Sequence, residues 1–209
     1  MKVVDYLKET YGYSVPIFLK DIRIGRKSKT AIRKELSRAV KEGQIVRKAK
    51  GVYCFKRDDQ YIDSVTFEAI VERKFIRDDF GFPGFGLNTY GYYTGQTFLN
   101  QIGLSQQVPA VLEIVTNKTS CKRYYNYRPS LRALLTKPKA KIDSSNFIVL
   151  QFLDAFKLLD ADEIKENHDR LFKYISKYIT KSDFEKYIGL YSTRTKKLIV
   201  EGGLINAFR

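Results

Sequence analysis

The sequence predicts an α+β chain in two parts, and three observations carry that expectation. Residues 28–55 read as one amphipathic helix followed by two short β-prone runs around a glycine-containing turn. Positive charge is concentrated in the same part of the chain: residues 1–57 hold 16 Lys and Arg against 5 Asp and Glu, whereas residues 58–209 hold 22 against 18. Beyond residue 110, β-rich runs give way after Ser145 to a helical pattern.

The first part is the more informative. Ser28 is placed to accept from an unpaired amide of a first helical turn, and Gly43 to end that helix. At about 100° per residue, Ile32, Leu36, Ala39 and Val40 fall on one arc, and Thr30, Lys34, Ser37, Arg38 and Lys41 on the opposite one. The apolar arc docks and the basic arc is free. Residues 44–47 and 52–55 are β-prone, with Lys48-Ala49-Lys50-Gly51 between them as a turn, which puts two lysines at a hairpin tip. A helix narrow enough for the major groove, cations on its outer face and a basic hairpin beside it make the geometry of a winged helix-turn-helix. The candidate DNA contacts are Arg26 and Lys27 before the helix, Lys29, Arg33, Lys34, Ser37, Arg38 and Lys41 on it, and Lys48 and Lys50 on the hairpin. Arg26 and Lys27 lie near the positive end of the helix dipole, where they can help seat a phosphate. An ordinary amphipathic helix with a solvated face is the plain alternative, and the ordered combination of cap, helix, glycine and basic hairpin argues against it. A membrane-surface helix would have a face rich in Phe or Leu rather than Ala and Val.

Composition sets the outer bounds. With 209 residues, 44% hydrophobic and 29% charged, the chain can build one large or two small cores without staples. No run approaches the roughly 20 apolar residues of a membrane span, and residues 1–5 lack the apolar stretch of a signal peptide, so a cytoplasmic protein is expected. Cys54 and Cys121 are far apart and without nearby His, so neither a disulfide nor a metal site is expected, and no cofactor.

Taken in order, residues 3–11 carry helical spacing stopped by Gly12, and Ser14 with Pro16 open a second short helix over 15–22. Arg57-Asp58-Asp59-Gln60 is a polar break, which sets the expected domains at 1–57 and 60–209, with a helix over 64–76 starting the second. Gly81-Phe82-Pro83-Gly84-Phe85-Gly86 lacks the Lys-Ser/Thr of a phosphate-cradling loop and reads as an aromatic-anchored connector. A short helix over 96–102 stops at Gly103. Residues 110–116 read as a strand buried on both faces, and residues 121–127, 131–135 and 139–142 as further strands of a small antiparallel sheet. Helices over 147–158, 162–179, 182–191 and 193–207 form the end.

Candidates for catalysis are thin, and no enzyme is expected. His168, the single histidine, lies in the charged run Lys165-Glu166-Asn167-His168-Asp169-Arg170, which reads as a solvated helix face rather than the setting of a general base. Cys54 falls in the second hairpin strand, where burial makes it inert. Asp78-Asp79 and Asp162-Glu163 are sequence neighbours, which do not face one site together.

Several phrases carry a likeness. Glu42-Gly43-Gln44-Ile45-Val46-Arg47 with Gly51-Val52-Tyr53, then Tyr92-Tyr93-Thr94-Gly95, then Gly103-Leu104-Ser105-Gln106-Gln107-Val108-Pro109 entering a strand, then Leu153-Asp154-Ala155 on a helix, span most of the chain. In these the chain resembles the antitoxin of the AbiE-type abortive-infection systems, a type IV toxin-antitoxin family of bacteria. The resemblance implies an N-terminal domain that binds repeats in its own promoter and represses it, as a monomer or a dimer on the DNA. It also implies a C-terminal domain that counteracts a toxin with a nucleotidyltransferase fold, without a stable complex. The chain is not itself such a toxin, since it has no Gly-Ser followed by paired Asp residues. Lys122, Arg123, Arg128 and Arg132 form a basic group on the expected strands, a candidate antitoxin surface and otherwise a solvated sheet face.

Overall fold

The computed structural model describes residues 2–13, 15–55, 65–78 and 88–208. It is mixed α+β and divides into two compact units, one with the described residues up to Lys74 and the other with those from Phe75 onward. The expected boundary at 57–60, Ser14 as a cap and the connector at 81–86 lie outside the described residues.

The first unit runs α1 (Val3–Tyr11), β1 (Ile17–Phe18), α2 (Lys29–Lys41), β2 (Val46–Ala49), β3 (Val52–Cys54) and α3 (Phe67–Phe75), whose last residue belongs to the second unit. Val3, Leu7 and Tyr11 recur at helical spacing on α1 and are buried with Ile32, Leu36 and Ala39 of α2. Each fully buried aliphatic side chain of this kind contributes about 1.5–3 kcal/mol. β1, β3 and β2 form a three-stranded antiparallel sheet in that order.

Two expectations are corrected here. There is no helix over 15–22: Ile17 and Phe18 pair with Tyr53 and Val52, and the chain then turns. The reason is the pairing itself, which the Leu19 amide extends by donating to Gly51 O at 2.9 Å, so the backbone here is satisfied across a sheet rather than within a helix. The helix expected to start the second domain packs instead with the first. Arg73 of α3, 3% exposed, donates to the Pro16 carbonyl, lies 3.6 Å from the Asp21 carboxylate, and sits over the rings of Tyr11 and Phe18. A guanidinium buried among those partners ties α3 to the N-terminal elements.

α2 is closed at both ends by local chemistry. Ser28 Oγ accepts from the Ala31 amide at 3.1 Å. At the other end Gly43, with φ +72°, lets its own amide reach Val40 O and the Gln44 amide reach Ala39 O, the paired closure that a residue with a Cβ resists. Ser28→Ala is expected to cost about 0.5–2 kcal/mol, read as faster amide exchange through the first turn of α2, while Ser28→Asp, which keeps an acceptor, holds the turn.

The second unit runs β4 (Gly91–Tyr93), α4 (Gly95–Gln101), β5 (Val111–Thr116), β6 (Arg123–Arg128), β7 (Leu131–Thr136), α5 (Phe147–Ala155), α6 (Ala161–Glu166), α7 (His168–Tyr178), α8 (Lys181–Ile188), α9 (Thr193–Glu201) and a closing 3-10 turn, Leu204–Ala207. Its sheet order is β4-β5-β7-β6, and it is mixed rather than antiparallel because β7 runs parallel to β5. Ile114, Ala133 and Leu135 are wholly buried, so the two apolar strands take the centre and β6, Arg-Tyr-Tyr-Asn-Tyr-Arg, takes the edge, where its charges discourage further pairing. β5 is buried only over residues 114–116, not along its whole length. Residues 139–142 are not a strand: the Asn117 side chain donates to Ile142 O at 2.8 Å and accepts from the Ile142 amide at 3.0 Å, taking the place of a pairing strand. α5 is buried from Val149 through Ala155, on every side, and is the helix around which the others collect.

Candidate nucleic-acid interface

The exposed side of α2 carries every candidate that the sequence assigned to it. Lys29, Thr30, Arg33, Lys34, Ser37, Arg38 and Lys41 are all exposed, while Ile32, Leu36 and Ala39 are buried beneath them. The face has a centre and two flanks. Thr30, Lys34, Ser37 and Lys41 lie along its middle by helical angle, Arg33 on the flank toward the hairpin and Arg38 on the flank toward α1.

On the hairpin flank, Arg33 and Ser37 join Leu19, Val40, Arg47, Lys50, Gly51 and Tyr53 around a groove of about 580 Å³. Arg33 and Lys50 also border a smaller neighbouring hollow with Lys20, Lys29 and Lys74. This brings three separated cations, Arg33, Arg47 and Lys50, to the rim of one apolar-floored groove, a setting suited to a passing phosphate strand. Arg47 was missed in the sequence because it closes a β-prone run. The alternation that leaves it exposed beside half-buried Val46 was the available signal.

On the other flank, Lys34 and Arg38 share a depression with Lys2, Asp5, Glu35 and Glu42, so this side is of mixed sign. Glu35 ties the turn before α2 to α1: its Oε1 accepts from Lys27 Nζ at 2.6 Å and its Oε2 from the Val3 amide at 3.2 Å. The Lys27 hydrogen bond, more than the Val3 amide, holds the Glu35 carboxyl below the usual carboxylate range. That link is therefore complete above the ordinary carboxylate value and is lost as acid protonates Glu35. Lys27 is consequently engaged within the protein, whereas Arg26 is exposed in the turn at Gly25.

The hairpin tip is tighter than the sequence suggests. Ala49 pairs directly with Val52, leaving Lys50 and Gly51 as the turn, and Gly51 has φ +74°. Lys48 therefore falls within β2, at an irregularity in its pairing, and is half-buried; it does not stand at the tip with Lys50. Lys50→Ala is expected to lower the slope of log affinity against log salt by nearly one unit on any duplex, if Lys50 meets one phosphate. Titrations at three salt concentrations read it directly.

The other singled-out residues fall elsewhere. His168 is 39% exposed at the start of α7 with Asp169 beside it at 3.4 Å. Cys54 is buried in β3 and Cys121 is exposed. Glu163 closes α6, accepting from the Asp160 amide at 2.9 Å while Asp160 accepts from its own. Lys122, Arg123, Arg128 and Arg132 are all exposed on or beside β6 and β7, but strand alternation and register split them: Arg123 sides with Tyr125 and Ala133, whereas Arg132 pairs with Asn126 on the opposite face. Among the described residues, no group of three or more His, Cys, Asp or Glu is placed to hold a metal ion, and no helix is long and apolar enough to cross a membrane. In comparisons with known proteins, the chain matches no family model and no curated protein.

Proposed function

We propose that this chain is a cytoplasmic, duplex-DNA-binding repressor of its own promoter, with the N-terminal unit acting as a winged-helix domain. We propose further that it serves as the antitoxin against a nucleotidyltransferase-like toxin in an abortive-infection, phage-defence system. The observation that carries the DNA-binding half is the uninterrupted exposed row of α2, with Lys34, Ser37 and Lys41 at its centre, rimmed on one side by Arg33, Arg47 and Lys50. A row of donors and cations on a single capped helix, beside a basic hairpin, suits a helix seated in the major groove with the hairpin on the neighbouring backbone. The segment before α2 turns rather than forming the first helix of a helix-turn-helix, so α1 is the helix that supports α2 in this reading.

The antitoxin half rests on the resemblance in the quoted phrases alone. A winged-helix regulator or protein-interaction module with no antitoxin role is the second reading. The acidic residues beside Arg38 favour it to the extent that they oppose a polyanion on that flank.

A mobility-shift titration with the DNA upstream of the chain's own coding sequence tests the proposal. Retarded species that survive excess scrambled duplex are expected, two or more of them if the sites are repeated. Equal retention of scrambled and upstream DNA contradicts a repressor role, and no retention of either contradicts DNA binding altogether.

A further inference from the structure

The net charge of the C-terminal part hides a second concentration of cations. Residues 117–142 contain eight Lys and Arg and no Asp or Glu, with tyrosines at 124, 125 and 127 among them. The fold gathers this segment onto one edge of the four-stranded sheet, as the antiparallel pair β6 and β7. On one side of that pair, Tyr125 is half-buried with its ring 5.1 Å from Phe75. On the other side, register places Tyr124 across from Leu134 and Asn126 across from Arg132. Tyr124 is 55% exposed and the Arg132 guanidinium lies 5.6 Å from its ring centroid. Leu134 beside it is half-buried, Asn126 and Arg132 are exposed, and Lys122 continues the same alternation just before β6.

We propose that this open face of β6 and β7 binds single-stranded nucleic acid, with one base stacked on Tyr124 and the flanking phosphates met by Arg132 and Lys122. What sets Tyr124 apart from a solitary exposed ring is its setting: residues 117–142 carry charge of one sign only, complementary to a phosphate backbone, and Arg132 lies against the ring. β6 and β7 belong to a four-stranded sheet, which is broader than the two-stranded ribbon a major groove admits, and a ring face cannot reach bases stacked within a duplex. Unstacked bases, by contrast, lie readily on a strand-borne aromatic. Asn126 adds a donor and an acceptor at the rim for a base edge or a ribose hydroxyl. The proposal stands on the C-terminal unit and does not depend on the reading of α2.

The test uses the full chain with fluorescein-labelled octamers of uridine and of thymidine, read by anisotropy, beside the upstream duplex. Both octamers are expected to bind, with uridine the tighter if Asn126 reaches the ribose. Tyr124→Ala is expected to weaken octamer binding about 5- to 150-fold, which is the ~1–3 kcal/mol of one stacked base at ~1.4 kcal/mol per tenfold. Tyr124→Phe, which keeps the ring, stays within about twofold of the parent. Arg132→Gln weakens octamers and reduces their salt slope. Duplex binding is unchanged by all three. A 4-thiouridine octamer should crosslink to the peptide containing Tyr124. Octamer affinity that Tyr124→Ala leaves unchanged, an octamer that crosslinks only elsewhere, or equal losses on octamer and duplex would overturn the proposal. In the last case the surface is an undirected cationic one.

Discussion

Arg38→Ala is expected to reduce the preference of the chain for its operator over a variant site by about 5- to 150-fold, while binding to unrelated duplex changes little. The physical reason is the setting of the flank. Arg38 shares its depression with Glu35 and Glu42, whose charge disfavours a phosphate strand there, yet a neutral base edge is under no such penalty. A guanidinium fork to guanine discriminates by about 1–3 kcal/mol. Arg33→Ala is the contrasting case: with Arg47 and Lys50 on the same rim, its loss should weaken binding to every sequence alike. Competition titrations with operator and single-base variants separate the two. If Arg38→Ala lowers affinity uniformly, Arg38 is a phosphate contact and the flanks have been assigned the wrong way round.

The second large effect concerns stability of the C-terminal unit. Asp154 of α5 is 3% exposed; it accepts from the Tyr92 hydroxyl at 2.8 Å and lies 2.5 Å from Lys157 Nζ. Burial, and then the Asp154 charge, push the Tyr92 hydroxyl far above the tyrosine range, so that it stays a donor, and the nearby Tyr191 hydroxyl, donating to Leu150 O at 3.1 Å, is raised for the same two reasons. Asp154→Ala leaves a buried hydroxyl without its acceptor and Lys157 without its counter-charge. Lys157 is half exposed and returns to water, so the expected cost is that of the stranded hydroxyl, about 1–3 kcal/mol, whereas Asp154→Asn keeps an acceptor for Tyr92 and costs less. Urea unfolding of the two variants reads the difference. Tyr174, raised to about 12 chiefly by burial, belongs to the same class of groups. Because these hydroxyls hold their protons more tightly folded than unfolded, their contribution is complete below tyrosine's ordinary value of ~10 and declines as pH rises through it. Stability should therefore fall steeply on the alkaline side, and less steeply in Tyr174→Phe.

The elements that were readable in the sequence are those whose determinants are local. α2 announces itself by Ser28, a 3.6-residue apolar repeat and Gly43, all within one segment, and its basic face follows from the same periodicity. The error over 15–22 arose where a proline and an apolar run fit two periods. Pairing with β3, thirty-odd residues away, decides the matter, and no local pattern reports it. The parallel contact of β5 with β7 was hidden for the same reason, since a polar hairpin strand can sit inside or outside its partner and only burial across the sheet puts β6 at the edge. Asn117 shows the limit differently: a turn residue by sequence, it holds the Ile142 backbone in a position that mimics a strand. Within the candidate interface, exposure followed from periodicity, whereas the grouping of Arg33 with Arg47 and Lys50, and the capture of Lys27 by Glu35, depend on how the hairpin and α1 pack against α2.

Binding of the upstream duplex by α2 and the hairpin is expected to depend steeply on salt. If α2 and the hairpin engage DNA as argued, log affinity should fall linearly with log salt, with a slope of roughly −0.9 for each phosphate neutralised, and Arg33→Ala and Lys50→Ala should each lower that slope. A slope near zero, or one indifferent to both substitutions, would mean that the basic face of the N-terminal unit does not meet a nucleic-acid backbone.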